Sequence, residues 1–417
     1  MIRDADRLLS GLRARLPNPL PSRLGVAVSG GSDSTALLHL MSRIAEGTDT
    51  NLFAATVDHG LRPESAAEAA KVAALCWELE IPHEILKWTG WDGTGNLQDQ
   101  ARRARYRLLR DWAHAQDIPA IALGHTADDQ AETVLMRLGR AAGVTGLSAM
   151  PVVRMFDGVA LVRPLLFATR SQLRDYLVAQ AIDWMEDPSN QNIRFDRIKA
   201  RQSLGQLAEL GISAESLARV AENLGHANTA LAQYTQETAQ RLTVEQAGSI
   251  RLDCAGFSGL PKELQRRIVI GIVRWIAGGD YPPRQASVDR TISAVSAGRP
   301  TTIGGCALVP DGEFAWFCRE LNPVTDLVTS PGLQWDRRWI VSGPDLPGAQ
   351  VRALAERGLK QLPDWRSRGL PRAALLATPA VWVGETLVSA PLGGSGDGWT
   401  ARIDPAYPTF TATFLSH

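Results

Sequence analysis

The chain has 417 residues, of which 45% are apolar, and its 44 lysines and arginines balance 44 aspartates and glutamates. A net charge of zero argues against a diffusely basic nucleic-acid binder, although local basic faces stay open. No apolar run reaches the roughly 18 residues that span a bilayer, and the first residues lack a signal-peptide core, so we expect a cytoplasmic protein.

Residues 24–140 alternate predicted strands with predicted helices. Strands are expected at 24–28, 52–57, 83–86 and 120–123, and helices at 35–44, 65–80, 97–115 and 128–138. This spacing is typical of βαβ units and predicts an α/β fold, a doubly wound parallel sheet covered by helices on both faces. In such sheets, ligands bind beyond the carboxyl ends of the strands.

A glycine-rich loop follows the first predicted strand and leads into a helix. Its residues are Ser29, Gly30, Gly31, Ser32, Asp33 and Ser34. The glycines let backbone N–H groups point at an anion and the serine hydroxyls add donors, so the loop is a candidate phosphate site. The common phosphate loop carries a lysine, whereas an acid here makes sense if a divalent cation lies between it and a polyphosphate. A tight turn with a capped helix explains the same residues, so the loop alone leaves phosphate binding open.

Two further strand ends carry polar residues at the same predicted edge of the sheet. Asp58 and His59 follow the second strand, and His125 follows the fourth. The helix after His125 places Asp129 and Glu132 on one face, where they could bind a cationic amine or a magnesium ion. Simple N-terminal capping explains the same acids, and a lone histidine is more often structural.

Several arginines could offset the charge of a bound phosphate. Arg102 and Arg105 lie three residues apart on a predicted helix, and one guanidinium near the loop would bind phosphate through its fork of donors. Arg194, Arg197 and Arg201 form one basic stripe if their segment is helical, which suits a triphosphate or an RNA backbone. Each cluster could equally be a solvated helix face.

The chain changes character after residue 186. Residues 187–190 break the alternation, a long helix is predicted at 213–242, and a small α+β module at 248–320 contains helices at 264–275 and 288–296. Residues 323–333 are predicted to be a linker, and the final part, 334–417, contains short predicted strands at 380–383 and 387–389. We therefore expect three domains, at 1–210, 211–325 and 326–417.

At this point a family resemblance becomes specific. Ser-Gly-Gly-x-Asp-Ser at residues 29–34 is the signature of the PP-loop ATP pyrophosphatases, and within that group the chain closely resembles the tRNA(Ile)-lysidine synthetases. Further matching blocks occur in the family's order across about residues 20–205: 57–62, Ala101-Arg102 with Arg105-Tyr106, 124–133, 163–165, and 186–190 with Phe195, Arg197 and Arg201. Residues 260–267 resemble the family's tRNA-contacting region more weakly. One departure is Arg140-Ala141-Ala142-Gly143, where the family usually has Arg-Gly-x-Gly; we expect Ala141 to stiffen that turn slightly without loss of activity.

The resemblance implies an enzyme that ligates free lysine to C2 of the wobble cytidine in the CAU anticodon of isoleucine tRNA, through an adenylated cytidine. ATP would be a substrate, Mg²⁺ a cofactor, and isoleucine tRNA the partner. The three domains would be a PP-loop catalytic domain, a helical and α+β tRNA-contacting domain, and a C-terminal tRNA-binding domain. A homodimer is one option for the oligomeric state.

The resemblance also implies a role for each candidate residue. The catalytic set would be Asp33, Arg102, Arg105, Asp129, Glu132 and Arg201. The nucleotide contacts would be Ser29, Gly30, Gly31, Ser32, Asp33, Ser34, Asp58, His59 and His125. Asp33 would hold the Mg²⁺ ion, and Arg102 or Arg105 together with Arg201 would offset charge at the α-phosphate. The helix acids at 129 and 132 would hold the incoming lysine and help to deprotonate it.

Three rival functions fit parts of the sequence. A tRNA 2-thiolation enzyme, or another base-adenylating tRNA modification enzyme of the superfamily, would activate the same kind of base oxygen. Thiolation needs paired reactive cysteines or a cluster, but the four cysteines lie far apart, at 76, 254, 306 and 318. An amide-forming synthetase for a small metabolite leaves the C-terminal modules unexplained. An RNA-binding module with a relict nucleotide fold predicts eroded loop residues, yet Ser29 and Asp33 are both present.

Overall fold

The computed structural model describes residues 2–60, 65–89, 97–186, 196–279 and 281–415. The chain divides into two compact units, one up to Thr229 and one from Ala230. The predicted break at 187–190, with Arg62, Arg194 and Phe195, lies outside the described residues. The expected division into three domains stays a prediction.

The first unit contains a six-stranded sheet in the order β3-β2-β1-β4-β6-β5. Its strands are β1 (Arg23–Ala27), β2 (Asn51–Asp58), β3 (His83–Lys87), β4 (Ala120–Leu123), β5 (Val153–Phe156) and β6 (Val159–Val162). All neighbouring pairs are parallel except β5 and β6, which form an antiparallel hairpin. The predicted doubly wound parallel sheet is confirmed, and the hairpin at its edge was not predicted.

Helices cover both faces of this sheet. They are α1 (Ile2–Arg13), α2 (Ser32–Ala45), α3 (Ser65–Glu78), α4 (Leu97–Ala115), α5 (Ala127–Leu138), α6 (Val144–Leu147), α7 (Arg170–Ala179) and α8 (Asp196–Ala208). Successive residues of β1 point to opposite faces: Val26 packs in one hydrophobic cluster with α2 and α7, and Ala27 packs in another with Trp112 of α4. α2 begins three residues before its predicted start, because Ser32 and Asp33 form its first turn.

A 29-residue helix, α9 (Ala214–Leu242), runs across the boundary between the two units, close to its predicted extent. The second unit then builds a five-stranded antiparallel sheet in the order β7-β8-β11-β10-β9. Its elements are β7 (Thr243–Gln246), β8 (Ser249–Asp253), α10 (Cys254–Ser258), α11 (Lys262–Ala277), α12 (Gln285–Ser296), β9 (Thr301–Ile303), β10 (Cys306–Asp311) and β11 (Phe314–Arg319). The predicted α+β module is confirmed, and both of its predicted helices are slightly longer than expected. In the described part of the chain, no helix is both long and apolar enough to cross a membrane.

Two three-stranded sheets, β12-β13-β17 and β14-β15-β16, complete the second unit. Their elements are β12 (Gln334–Trp335), β13 (Trp339–Ser342), β14 (Ala349–Ala353), α13 (Ala355–Leu359), α14 (Arg372–Leu376), β15 (Pro379–Val383), β16 (Thr386–Ser389) and β17 (Thr400–Ile403). The linker prediction for 323–333 is wrong in part, because Val324 is fully buried in a cluster with Trp335 and Trp339. Thr329 also forms a bridge with Val351, so this segment is part of the packed structure.

The turn after α5 explains the departure at Ala141. This residue has a φ of +52°, in the left-handed region where a side chain crowds the backbone. A non-glycine residue pays roughly 1–2 kcal/mol in that conformation, whereas glycine adopts it freely. The alanine therefore strains the turn, which is a different effect from the slight stiffening that we expected.

Ala141→Gly is expected to raise the free energy of unfolding by about 0.5–1 kcal/mol, because relief of the strain exceeds the added chain entropy of glycine. Urea unfolding followed by circular dichroism measures the change in the free energy of unfolding of the first unit. Ala142→Gly is the matched control, because Ala142 does not have a positive φ. Glycine at this position relieves no strain and adds chain entropy, so it should lower the free energy of unfolding. A fall in stability for Ala141→Gly would contradict the strain.

Candidate active site

The glycine-rich loop connects β1 to α2 and closes on itself through its serines. Ser34 Oγ lies 3.1 Å from Ser29 Oγ, accepts a hydrogen bond from Ser29 N at 3.1 Å and donates one to the Gly31 carbonyl at 3.1 Å. Gly30 has a φ of +84°, and a Cβ there would lie 1.7 Å from Cε of Met185, so no other residue fits without rearrangement. The N-cap of α2 is Gly31, with no side-chain capping bond. The loop's serines therefore do not cap α2, and its first-turn N–H groups suit an anion.

The loop lies where the order of strands reverses. β1 has β2 on one side and β4 on the other, and ligands in doubly wound sheets bind at such a reversal. Gly124, at the end of β4, lies so close to α2 that an added Cβ would be 3.1 Å from Cα and N of Ser34. This close approach places His125 and the start of α5 beside the loop.

A residue that the sequence did not single out, Arg170, joins three carboxylates at this edge. Its Nε lies 3.2 Å from Oδ2 of Asp33, its Nη2 lies 2.7 Å from Oδ1 of Asp129, and its Nη1 lies 2.9 Å from Oε1 of Glu132. Arg170 is the first residue of α7, and its backbone N–H donates to Oδ2 of Asp128 at 2.8 Å. The structure thus brings the loop acid and the two helix acids into one cluster, which we call the acid cluster: Asp33, Asp129 and Glu132.

Asp129 both caps its helix and belongs to the acid cluster. Its Oδ2 accepts hydrogen bonds from the backbone N–H and the hydroxyl of Thr126, at 2.9 and 3.0 Å, while Oδ1 accepts from Arg170. Burial opposes ionisation, but Arg170 and the Thr126 N–H together hold the pKa of Asp129 below its ordinary value. The capping alternative is therefore confirmed for Oδ2, while Oδ1 joins the acid cluster through Arg170, and binding of an amine or a magnesium ion by Asp129 stays a prediction.

Glu132 is almost fully buried, at 1% exposed, and its two oxygens have different surroundings. Oε1 accepts from Arg170 and from Nε of Arg201 at 3.0 Å. Oε2 is buried and has no hydrogen-bond partner among the described residues, with Nε of Arg197 at 3.9 Å. A buried carboxylate oxygen without a donor is costly, so a ligand that carries a donor would stabilise it. Arg201, which is predicted to offset charge at the α-phosphate, forms an ion pair with Glu132 in this structure.

Asp33 has a different electrostatic setting from Asp129. Burial raises the pKa of Asp33, Arg170 lowers it, and the nearby Asp129 raises it, with a net increase over its ordinary value. Its other oxygen, Oδ1, accepts from Ser32 Oγ at 3.1 Å. A second cation near Asp33 would therefore favour its ionised form.

Of the two predicted arginines on α4, Arg105 is the less exposed, and it lies close enough to Asp129 to be influenced by that charge. Burial lowers the pKa of Arg105, and Asp129 is among the charges that raise it. Within the described residues it makes no ion pair, so its charge is available to a ligand. Arg102 is exposed and stacks over the ring of Tyr106, with 5.3 Å from its guanidinium carbon to the ring centroid.

Two half-buried histidines at the strand ends, His59 and His125, each have a buried Nδ1 atom without a hydrogen-bond partner among the described residues. Burial lowers the pKa of His125 to about 3, although Asp129 opposes the shift. Burial also lowers the pKa of His59, which meets Trp88 edge-on with 5.8 Å between ring centroids. Asp58 closes its turn by accepting from the Gly60 N–H at 2.9 Å, and this bond lowers its pKa. The nucleotide contacts expected of these three residues stay predictions.

The sequence held one signal for Arg170. Thr169 and Gln172 form a capping box, T-x-x-Q, that marks the start of α7. An arginine in the next position opposes the helix dipole, which favours acids there. A cation in that unfavourable position indicates a partner elsewhere in the fold.

Similarity to known proteins identifies the family of this chain. A family described as a PP-loop domain matches residues 8–208. A tRNA(Ile)-lysidine synthase of Ruegeria pomeroyi is 53% identical over 413 residues, which are 99% of each chain. Another, from Methylobacterium nodulans, is 40% identical over 68% of this chain and 86% of its own. Among solved structures, the U34-tRNA thiolase NcsA from Methanococcus maripaludis with its [4Fe-4S] cluster aligns with a TM-score of 0.48 and 18% identity, over 54% of this chain and 79% of that one.

His125 is expected to stay neutral across the physiological range. Its folded-state pKa of about 3 lies below the ordinary 6.5, so between these values the unfolded chain binds the extra proton. This histidine therefore contributes stability that is complete above pH 6.5 and is lost as the pH falls towards 3. NMR titration of ¹³C-labelled histidines, with His125→Gln to assign the signal, measures the midpoint. A midpoint near 6.5 would contradict the burial argument.

Proposed function

We propose that this chain, which belongs to the tRNA(Ile)-lysidine synthase family, ligates free lysine to C2 of the wobble cytidine in the CAU anticodon of isoleucine tRNA, with ATP as the activating substrate. The proposal rests on two groups of residues that lie at one edge of the sheet, which we call the ATP half-site and the lysine half-site. The ATP half-site is the glycine-rich loop that begins α2, and the lysine half-site is Asp129 and Glu132 of α5. Arg170 joins the two half-sites through its ion pairs with the acid cluster.

The reaction divides into two steps that match the two half-sites. In the first, O2 of the cytidine attacks the α-phosphorus of ATP, a P–O bond forms and pyrophosphate leaves. In the second, the side-chain amine of lysine attacks C2, and the bond from C2 to O2 breaks as AMP leaves with that oxygen. Adenylation is needed because a carbonyl-type oxygen is a poor leaving group. Both steps depend on positioning and charge neutralisation more than on covalent catalysis.

The loop side of the site would take the triphosphate. The first-turn N–H groups of α2, with the hydroxyls of Ser29 and Ser34, suit pyrophosphate. Arg105, whose charge is not neutralised by an ion pair among the described residues, is the better candidate of the two predicted arginines for the α-phosphate. His125 would contact the nucleotide as a neutral imidazole.

Magnesium fits this loop as a companion of ATP. Mg²⁺ is commonly held by one or two carboxylates together with substrate phosphates and water. Asp33 offers one such carboxylate beside the loop, while the described residues contain no group of three or more metal-binding side chains. Asp33 would therefore hold a Mg²⁺ ion that neutralises phosphate charge when bound.

The α5 side of the site would take the lysine amine. Oε2 of Glu132 is a buried acceptor without a donor, which an ammonium group would satisfy. Asp129 is held ionised next to it, so it adds a second negative charge for the ammonium, although its lowered pKa makes it a weaker proton acceptor. This arrangement supports the assignment of both acids to lysine.

The cysteines disfavour the thiolation alternative. Sulfur transfer needs a thiolate, and burial raises the pKa of Cys76, Cys306 and Cys318 to about 12. Burial also raises the pKa of Cys254. Burial therefore favours the protonated form of all four thiols.

The second unit would contact the tRNA. Arg352 and Arg357 stack on the ring of Trp382, with guanidinium carbons 5.1 and 4.8 Å from its centroid. Both arginines also pair with Glu385, so an RNA phosphate would share or displace that carboxylate. The reaction's substrates meet in the cytoplasm, where we place the enzyme, and a homodimer stays a prediction.

Labelled lysine tests the function directly. The protein is incubated with ATP, labelled lysine and an unmodified CAU-anticodon isoleucine tRNA transcript, with methionine tRNA of the same anticodon as the control. Label is expected in the isoleucine tRNA alone. Labelling of neither tRNA would overturn the proposal.

Asp33→Ala is expected to abolish tRNA-dependent exchange between ATP and pyrophosphate, because the Mg²⁺ ion that would neutralise phosphate charge then lacks its carboxylate ligand in the loop. Binding of tRNA should be largely unchanged. Asp111→Ala, which removes an exposed acid on α4, is the control and should exchange normally. Exchange at the wild-type rate in Asp33→Ala would remove Asp33 from the metal site.

Glu132→Gln is expected to impair lysine use more than adenylation, because the amide keeps the shape of the side chain but loses its charge. Adenylated tRNA should accumulate, and labelled AMP retained on tRNA measures it. Glu222→Gln changes an exposed glutamate and serves as the control. If no adenylated tRNA accumulates in Glu132→Gln, the residue does not hold the amine.

A further inference from the structure

Arg170 holds the acid cluster through three different nitrogens. Nε, Nη1 and Nη2 pair with Asp33, Glu132 and Asp129 respectively, at 3.2, 2.9 and 2.7 Å. The planar guanidinium presents these donors in a fixed fork, which a lysine ammonium cannot reproduce. Its side chain is 19% exposed, so these pairs are shielded from water on most sides.

The position of Arg170 in its helix gives no local reason for a cation. The Thr169 and Gln172 capping box already fixes the start of α7, and Asp128 already accepts from the Arg170 backbone N–H. The helix dipole disfavours a cation in the first turn. The ion pairs with the three carboxylates therefore explain the presence of a guanidinium at this position.

The acid cluster would be unstable in its present form without that guanidinium. Asp129 and Glu132 are 11% and 1% exposed, so water screens their repulsion poorly. Arg201 also pairs with Oε1 of Glu132, but among the described residues only Arg170 bridges all three acids. Loss of Arg170 would let the two acids of α5 move apart or take up a proton.

Arg170 also leaves one oxygen of Glu132 without a hydrogen bond, and this oxygen could accept from an amine. Arg170 and Arg201 both donate to Oε1 of Glu132, whereas Oε2 has no hydrogen-bond donor among the described residues and lies 3.9 Å from Nε of Arg197. An incoming ammonium can therefore reach Glu132 without displacing Arg170.

We infer that Arg170 is a positioning residue for lysine: it holds Asp129 and aims Glu132 so that Oε2 accepts the amine, and it stays in place when lysine binds. This inference rests on the proposed function. It adds a residue that determines affinity for the second substrate and links the ATP half-site to the lysine half-site through Asp33.

Steady-state kinetics of the full chain with isoleucine tRNA test this role. Arg170→Ala is expected to raise KM for lysine by about tenfold or more, as loss of one partner in a buried charge pair does, with a clearly smaller rise in KM for ATP. Arg170→Lys should recover only part of the affinity, because an ammonium cannot reproduce the fork. In a Glu132→Gln background, Arg170→Ala should raise KM for lysine much less, since the acid that it aims is already neutral.

Arg174→Ala is the matched control, because Arg174 lies on the same helix in an exposed pair with Glu186. It should leave both KM values unchanged. Thermal unfolding and exchange between ATP and pyrophosphate show whether each variant is folded, and Arg170→Lys carries the test if Arg170→Ala is not. A fall in KM for lysine would show that Arg170 is displaced, and equal rises for lysine and ATP would show a general structural role; either overturns the inference. Failure of the wild-type protein to ligate lysine would instead overturn the proposed function.

Discussion

The ion pairs of one guanidinium with three carboxylates are the interaction on which the rest of the site depends. Arg170 comes from α7, Asp33 from α2, and Asp129 and Glu132 from α5, so the pairs join three helices that are distant in sequence. Removal of one partner from a buried charge pair typically costs about 3–5 kcal/mol, because the other charge is left uncompensated. The same contacts that stabilise these helices therefore also fix the geometry of the acids that would act on substrate.

The parallel sheet brings these helices together. The reversal of strand order between β1 and β4 places the loop and Gly124 side by side, and Gly124 lets the end of β4 approach the backbone of Ser34. The phosphate loop and the acids of α5 consequently share one edge. A base activated at the loop would lie next to the amine that displaces its AMP, so the adenylated intermediate need not move between two distant sites.

Much of this arrangement follows from local sequence, and the remainder does not. The four predicted strands and the helices between them are confirmed, because apolar periodicity and glycine turns are local signals. The β5–β6 hairpin was missed because β5 is largely exposed and lacks the buried apolar run that marks β4, although Asp157-Gly158 between its strands is a typical two-residue turn. Arg170 was missed because its partner Asp33 is 137 residues away, and no spacing rule connects two such positions. The sequence leaves helix capping and a place in the site as alternatives for Asp129, because it does not show that the two oxygens of this side chain have different partners.

A crystal structure with lysine and a non-hydrolysable ATP analogue tests the central claim most directly. We expect the lysine side-chain nitrogen to lie within hydrogen-bond distance of Oε2 of Glu132, and Arg170 to remain paired with Asp129. A lysine amine bound away from Glu132, or an Arg170 side chain displaced from the acid cluster, would contradict it.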